Sequence, residues 1–288
     1  MESLTTRDRA FFAYLASFLT PHKRELFPRV ILNRTRHLTV VVEDVHQPHN
    51  ASACLRSCDC FGLQDVHIIE NRNEFTTNRG VELGASRWLS LHRYSDIPET
   101  STPAPDIHTP DTSTPNIIDK HQNTRACLEK LKADGFAIVM TSPHQPNCEL
   151  ETFDVTQKAA LVFGNEKDGC SDTVRELADH VLRVPIHGFT ESFNISVAVA
   201  VCLHHLVWRL RESGIRWQIT DNDRDALIYE WVRTASSNRV DSLEKRFNQI
   251  WQPDVGLPEI EEFLNWPDWS QVPRDVPLER RNRQCLSE

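Results

Sequence analysis

The sequence predicts an α/β fold built on a parallel sheet. Two runs rich in β-branched and apolar residues, Leu38–Glu43 and Asp65–Ile69, flank a helix-length segment from Asn50 to about Phe61. A strand, a helix and a strand at that spacing form a βαβ unit. The same alternation resumes beyond residue 116. Polar, often glycine-bearing segments follow three of the apolar runs, at the strand ends where parallel sheets hold their ligands.

Taken in order, helices are expected over about 6–19 and 22–35. The second begins after Pro21 and contains Pro28, which predicts a kink or break. Leu38-Thr39-Val40-Val41-Val42-Glu43 reads as a buried strand. Asn50 can cap the next helix and Gly62 can end it. Residues 98–116, rich in Pro, Thr and Asp and poor in large apolar residues, read as a surface loop or disordered insertion. A helix near 118–134 follows, then strands at Phe136–Thr141 and Ala159–Phe163, a helix from Ser171 and a strand near Val181–Val184. A long apolar helix is expected from Asn194 to about Arg211, a helical segment over 222–250, and an irregular tail over 253–288. This divides the chain into a basic helical arm (1–37), an α/β domain (38–213) and a helical C-terminal extension with its tail (214–288).

A chain of 288 residues can bury one sizeable core, alone or with helical extensions. Its 25% charged and 39% hydrophobic residues are ordinary for a globular protein. No segment is apolar enough to span a membrane, and Met1–Asp8 lacks the features of a signal peptide, so a cytoplasmic protein is expected. The eight cysteines are then reduced thiols. Cys54 and Cys58 fall one helical turn apart, and no other Cys or His pair has clean zinc spacing, so buried side chains are expected and no metal. The net charge of −9 weighs against a nucleic-acid partner, but residues 7–37 are locally basic. Among them Arg24, Arg34 and Arg36 are candidates for RNA contact, although a solvated helix face would look the same.

Three segments could carry chemistry. In Glu43–Asp59, Asn50 reads either as a cap or as a site residue, and Arg56 as a surface charge, a partner of Asp59 or a site residue. In Leu161–Ser171 a strand empties into a loop containing Gly164 and Gly169, and glycines let backbone approach a ligand closely. That loop fits neither a phosphate-binding loop nor a dinucleotide fingerprint, and a plain strand–turn–helix connection remains open. In Val184–Ala198, Ser192, Asn194 and Ser196 crowd the start of a nearly uncharged helix, more small polar residues than capping needs.

Together these segments resemble the SpoU/TrmH family of SPOUT-class RNA ribose methyltransferases. The resemblance covers roughly residues 22–212 and is carried by His49–Arg56 with Phe61-Gly62, by Phe163–Glu166 through Gly169-Cys170-Ser171, and by Ile186–Ser196. The stretch Arg34–Glu43 with Pro48-His49-Asn50 is similar to the tRNA branch, which methylates guanosine 18 of the D-loop. Phe193 stands where the family usually has Leu, and Cys170 replaces a Leu. The resemblance implies a SPOUT (α/β knot) fold with a C-terminal trefoil knot, S-adenosylmethionine as cofactor, tRNA as substrate and a homodimer formed through helices like 50–61 and 194–212. It implies catalytic roles for Asn50, Arg56, Glu166, Ser192 and Asn194, and a cofactor site made by Thr141, Gly164, Asn165, Val184, Ile186, Gly188 and Phe193. Ribosomal RNA as the substrate, or an inactive RNA-binding protein of the same fold, are the alternatives.

Overall fold

The computed structural model describes residues 5–95, 122–252 and 257–272. The 98–116 insertion and much of the 253–288 tail lie outside them. The chain forms two compact units, Thr35–Trp217 and the pairing of Met1–Arg34 with Gln218–Glu288. The two terminal segments, read from the sequence as separate extensions, thus pack into one unit.

The helices of that unit come first and last in the chain. They are α1 (Thr6–Ser17) and α2 (Pro21–Ile31) at one end, and at the other α8 (Asp221–Ala235) and α9 (Val240–Ile250). Thr5 and Asp8 form a reciprocal capping box on α1, which satisfies two otherwise unpaired backbone donors. α2 runs on past Pro28 to Ile31 without a break; the proline gives up its own bond to the Arg24 carbonyl, and the last turn closes with the Leu32 N–H on the Pro28 carbonyl at 3.3 Å. The single helical segment expected over 222–250 is split by a 3-10 turn at Ser237–Arg239. Ser236, Ser237 and Asn238 supply the interruption, since such side chains compete for the backbone bonds of a helix interior. Phe11 and Tyr14 pack on Phe247, with ring centroids 5.1 and 5.5 Å apart.

Among the described residues, the central unit is built on a seven-stranded parallel sheet. Its strands are β1 (Leu38–Glu43), β2 (Asp65–Glu70), β3 (Ser90–Ser95), β4 (Ala137–Thr141), β5 (Cys148–Glu149), β6 (Ala159–Phe163) and β7 (His180–Arg183). The helices are α3 (Pro48–Phe61), α4 (Arg79–Glu82), α5 (Gln122–Ala133), α6 (Asp172–Leu177) and α7 (Ile195–Glu212). Strand order is β3-β2-β1-β6-β4-β7-β5. From β1 the chain moves outward to β3, then returns to the other side and leaves a slot that β6 fills between β1 and β4.

Both faces of the sheet are covered. Leu38, Val40 and Val42 pack with Leu161, Leu55, Leu203 and Leu206 on the α3/α7 face. Val41, Ile138, Met140 and Val162 pack with Leu128 and Leu131 on the α5 face. A strand buried on both faces reads as a continuous apolar run, which is why β1, β4 and β6 were legible in the sequence. Strand β3 was not, because Ser90-Leu91-His92-Arg93-Tyr94-Ser95 is a half-exposed edge with weak apolar pattern. Helix α3 begins earlier than expected, at Pro48, with Gln47 as its N-cap residue. Proline suits the first helical position, and the side chain of Asn50 is thereby released from capping.

Candidate active site

The carboxyl ends of β1, β4 and β6 meet where strand order reverses, the position at which open α/β sheets bind ligands. At the end of β1, the buried Glu43 carboxylate accepts from the Thr124 hydroxyl at 2.6 Å, the Ser171 hydroxyl at 2.7 Å and the Ser171 N–H at 2.9 Å. Ser171 also caps α6, so Glu43 ties that helix to β1. Asp44 follows with φ of 52° and gathers the N–H groups of Asn71 and Arg72 at 2.7 and 2.9 Å, which joins the ends of β1 and β2.

The loop after β6 folds back on itself. Asn165 and Gly169 exchange two backbone hydrogen bonds of 3.1 and 3.2 Å, and the Asn165 side-chain oxygen accepts from the N–H groups of Lys167 and Asp168. Gly164 lies against the returning strand of this loop. A Cβ there would stand 2.0 Å from the Gly169 carbonyl carbon and 2.2 Å from the Cys170 nitrogen. Only glycine allows that approach. Cys170 is no nucleophile, since burial pushes its thiol up to about 12.

A chain of polar side chains links the three motif segments. The Asn50 amide donates to Glu166 Oε1 at 2.7 Å, and the Asn194 amide donates to Asn50 Oδ1 at 3.1 Å. Asn194 caps α7 by accepting from the Ser196 N–H at 2.9 Å and hydroxyl at 2.7 Å. The Glu166 carboxylate also accepts from the N–H groups of His46 at 3.2 Å and Gln47 at 3.3 Å. Burial works to raise the pKa of Glu166, but the Asn50 amide and the surrounding backbone N–H groups outweigh it and hold the carboxyl below its ordinary value. Glu166 therefore stays ionised and locks the start of α3 onto the β6 loop.

Beside this lock opens a cavity of about 330 Å³, within the usual range for small-molecule sites. Of the residues expected to hold a cofactor, Thr141, Gly164, Asn165, Val184, Ile186 and Phe193 line it, as do Glu166 and Ser192. Gly188 lies instead on an adjoining cavity. The reading of single residues missed Ser142, Pro143, His144, Arg175 and Glu191, which also line the main cavity. The signal for the first three was the polar turn directly after an apolar strand.

Asn50, Glu166 and Asn194 are thus brought together, and of these Glu166 shares the cavity wall with Ser192. Arg56 is not drawn into that cluster. It is exposed on α3, and the polar atoms of Asn50 bond to Gln47, Glu166 and Asn194 instead. Among the candidate RNA-contacting arginines, Arg34 needs a correction. Arg34 is 1% exposed, with its guanidinium 5.3 Å from the centre of the Trp231 ring, so it is an interior residue and cannot reach RNA. Packing on an aromatic face compensates part of its desolvation. Arg24 is half-buried, 3.8 Å from Glu262 and over Phe263, and Arg36 pairs with Asp65 at 3.3 Å. Cys54 and Cys58 are buried in the core, and the Cys54 thiol is pushed by burial up to about 12. No helix among the described residues is long and apolar enough to cross a membrane.

Comparison with known proteins agrees with this geometry. The sequence profile of the SpoU rRNA Methylase family matches residues 37–109 and 111–204. A tRNA (guanosine(18)-2′-O)-methyltransferase of Borreliella burgdorferi is 34% identical over 224 residues, 78% of this chain and 90% of that protein. A protein of the same name from Thermus thermophilus is 27% identical over 74% of this chain and 97% of its own length. Among solved structures, the TrmH/SpoU tRNA modifying enzyme of A. aeolicus superposes with a TM-score of 0.59 at 23% identity, covering 74% of this chain and 96% of that one. That likeness speaks to the fold. The profile match and the 34% identity, together with a cavity at the switch point of the sheet, establish that this chain belongs to the SpoU methylase family.

Proposed function

We propose that this protein transfers a methyl group from S-adenosylmethionine to a ribose 2′-hydroxyl of tRNA, at guanosine 18. The observation that carries the reading is the Glu166–Asn50–Asn194 chain, which fastens three distant segments around one cavity. The cavity suits the cofactor because it is framed by tightly folded backbone at 164–170 and by apolar walls from Val184, Ile186 and Phe193. When bound, S-adenosylmethionine supplies a methyl group on a sulfonium centre open to in-line displacement.

The protein's own work is positioning and exclusion of water. In-line transfer between two held reactants gains most from fixed geometry. The close backbone at Gly164 shapes one wall, and Phe193 and Ile186 keep the reacting region dry. Arg56 is assigned to the phosphate beside the target ribose and to the alkoxide that develops there. A guanidinium is a reluctant base, so proton removal falls to another group. Lysine lacks the planar fork, so Arg56→Lys is expected to lose turnover nearly as severely as Arg56→Ala.

The reading includes a homodimer. Phe193, Val197 and Val201 are exposed at about one-turn spacing at the start of α7 and Trp208 about two turns further along it, an apolar stripe suited to a second copy. It also includes the C-terminal trefoil knot of the family and a cytoplasmic site of action, where tRNA is processed. The test is transfer of labelled methyl from S-adenosylmethionine to an unmodified tRNA transcript, with the product nucleoside identified by mass. A 2′-O-methylguanosine in the D-loop supports the reading. Transfer to ribosomal RNA alone would move the substrate, and absence of both transfer and cofactor binding would leave an inactive RNA-binding protein.

A further inference from the structure

We propose that Phe189 is the platform on which a base of the substrate RNA stacks while its ribose is presented to the cavity. This rests on the RNA methyltransferase reading above and adds to it a residue that grips the substrate.

Phe189 lies in the loop between β7 and α7, and its ring is 108% exposed, so it buries nothing in its own fold. A single exposed apolar side chain needs no explanation by itself. Its location does. Phe189 lines a second cavity of about 510 Å³, and Pro143, His144, Val184, Ile186 and Glu191 line both this cavity and the one assigned to the cofactor. Whatever occupies the second cavity therefore abuts the first across a shared wall. A ribose awaiting a methyl group has to lie at such a junction, with its base in the outer space.

The chemistry of that outer space fits a base better than a phosphate. Arg183, the guanidinium on its wall, is committed to Glu149, with Nε 3.1 Å from Oε2. Glu191 adds a carboxylate that would repel a phosphate. What remains is an aromatic face with the exposed imidazoles of His144 and His187 beside it, able to meet the edge of a stacked base. A Cβ on the neighbouring Gly188 would meet nothing within 4 Å, so the approach to the ring is open. Phe193, Val197 and Val201 line a separate depression that Phe189 does not reach, which separates Phe189 from the surface assigned to a second copy.

The experiment compares wild type with Phe189→Ala, Phe189→Trp and Phe189→Leu, using an unmodified tRNA transcript and S-adenosylmethionine. Base–aromatic stacking predicts that Phe189→Ala raises the KM for tRNA by about 5- to 150-fold. The affinity for S-adenosylmethionine should stay within twofold of wild type. Phe189→Trp should keep wild-type KM, and Phe189→Leu, apolar but without a π-face, should recover little. The loss should also persist unchanged as salt is raised, because stacking releases no counterions. A KM for Phe189→Ala within twofold of wild type overturns the proposal. So does full recovery by leucine, or a change in oligomeric state, since either marks an apolar protein contact. If wild type itself methylates no RNA, the functional reading has failed and not the assignment of Phe189 alone.

Discussion

Gly164→Ala is the substitution whose effect the structure sets most directly. The added methyl would sit 2.0 Å from the Gly169 carbonyl carbon and 2.1 Å from its oxygen, against about 3.4 Å for ordinary contact. The returning backbone at 169–170 must then retreat by about 1.4 Å, because both colliding groups are main chain and no flexible side chain can yield. That retreat breaks the Asn165–Gly169 pair, two hydrogen bonds of 3.1 and 3.2 Å. At roughly 0.5–1.5 kcal/mol each, about 1–3 kcal/mol of loop order is lost. If the cofactor needs the closed loop, its affinity falls by about 5- to 150-fold. Isothermal titration with S-adenosylmethionine measures this, and a thermal melt of the same sample shows whether the rest of the fold survives. An affinity within twofold of wild type would refute the reasoning, for the loop would then be free to open without consequence.

Further predictions concern the polar lock, the edge of the sheet and the terminal unit. Asn50→Ala removes the donor to Glu166 and the acceptor for Asn194, so stability should fall by about 2–4 kcal/mol, read by denaturant unfolding, with methyl transfer lost in the same variant. His67 is 5% exposed, and burial together with the stacked His92 pulls its folded value down from 6.5 to about 4. The unfolded chain then binds the extra proton first, so stability should decline as pH falls from about 6.5 towards 4, by about 3 kcal/mol at most. His67→Phe should flatten that limb of the stability–pH curve, and an unchanged slope would show that His67 does not set it. Arg34→Ala should destabilise the terminal unit by about 2–4 kcal/mol through lost packing on Trp231. Its melting temperature should drop, and a variant that melts like wild type but binds tRNA more weakly would restore the RNA-contact role.

The sequence showed most where burial was two-sided or a residue type had a local duty. β1 and β6 were found with their observed bounds because continuous apolar runs admit few other readings. Gly62, with φ of 82°, ends α3 as expected, since the left-handed cap favours glycine. Local duty also misled. Asn50 before an apolar run looks like a cap, but Pro48 starts the helix and Asn50 serves Glu166. The basic arm looked solvent-facing, yet Arg34 is interior, because the aromatic ring that receives it arrives from residue 231, far along the chain.

By itself the sequence determined the buried strands β1, β4 and β6, the end of α3 at Gly62 and the three motif segments in their order, since each depends on the period and chemistry of neighbouring residues. Only the tertiary structure decided that β6 enters between β1 and β4, and that the three segments therefore meet. Asn50 bonds to Glu166 across 116 positions and to Asn194 across 144, separations that no local pattern encodes. Hydrogen bonds and cavities depend on distance through space, whereas periodicity reports only which face of one element is apolar. The motifs were therefore legible, but the lock they form and the cavity beside it were not.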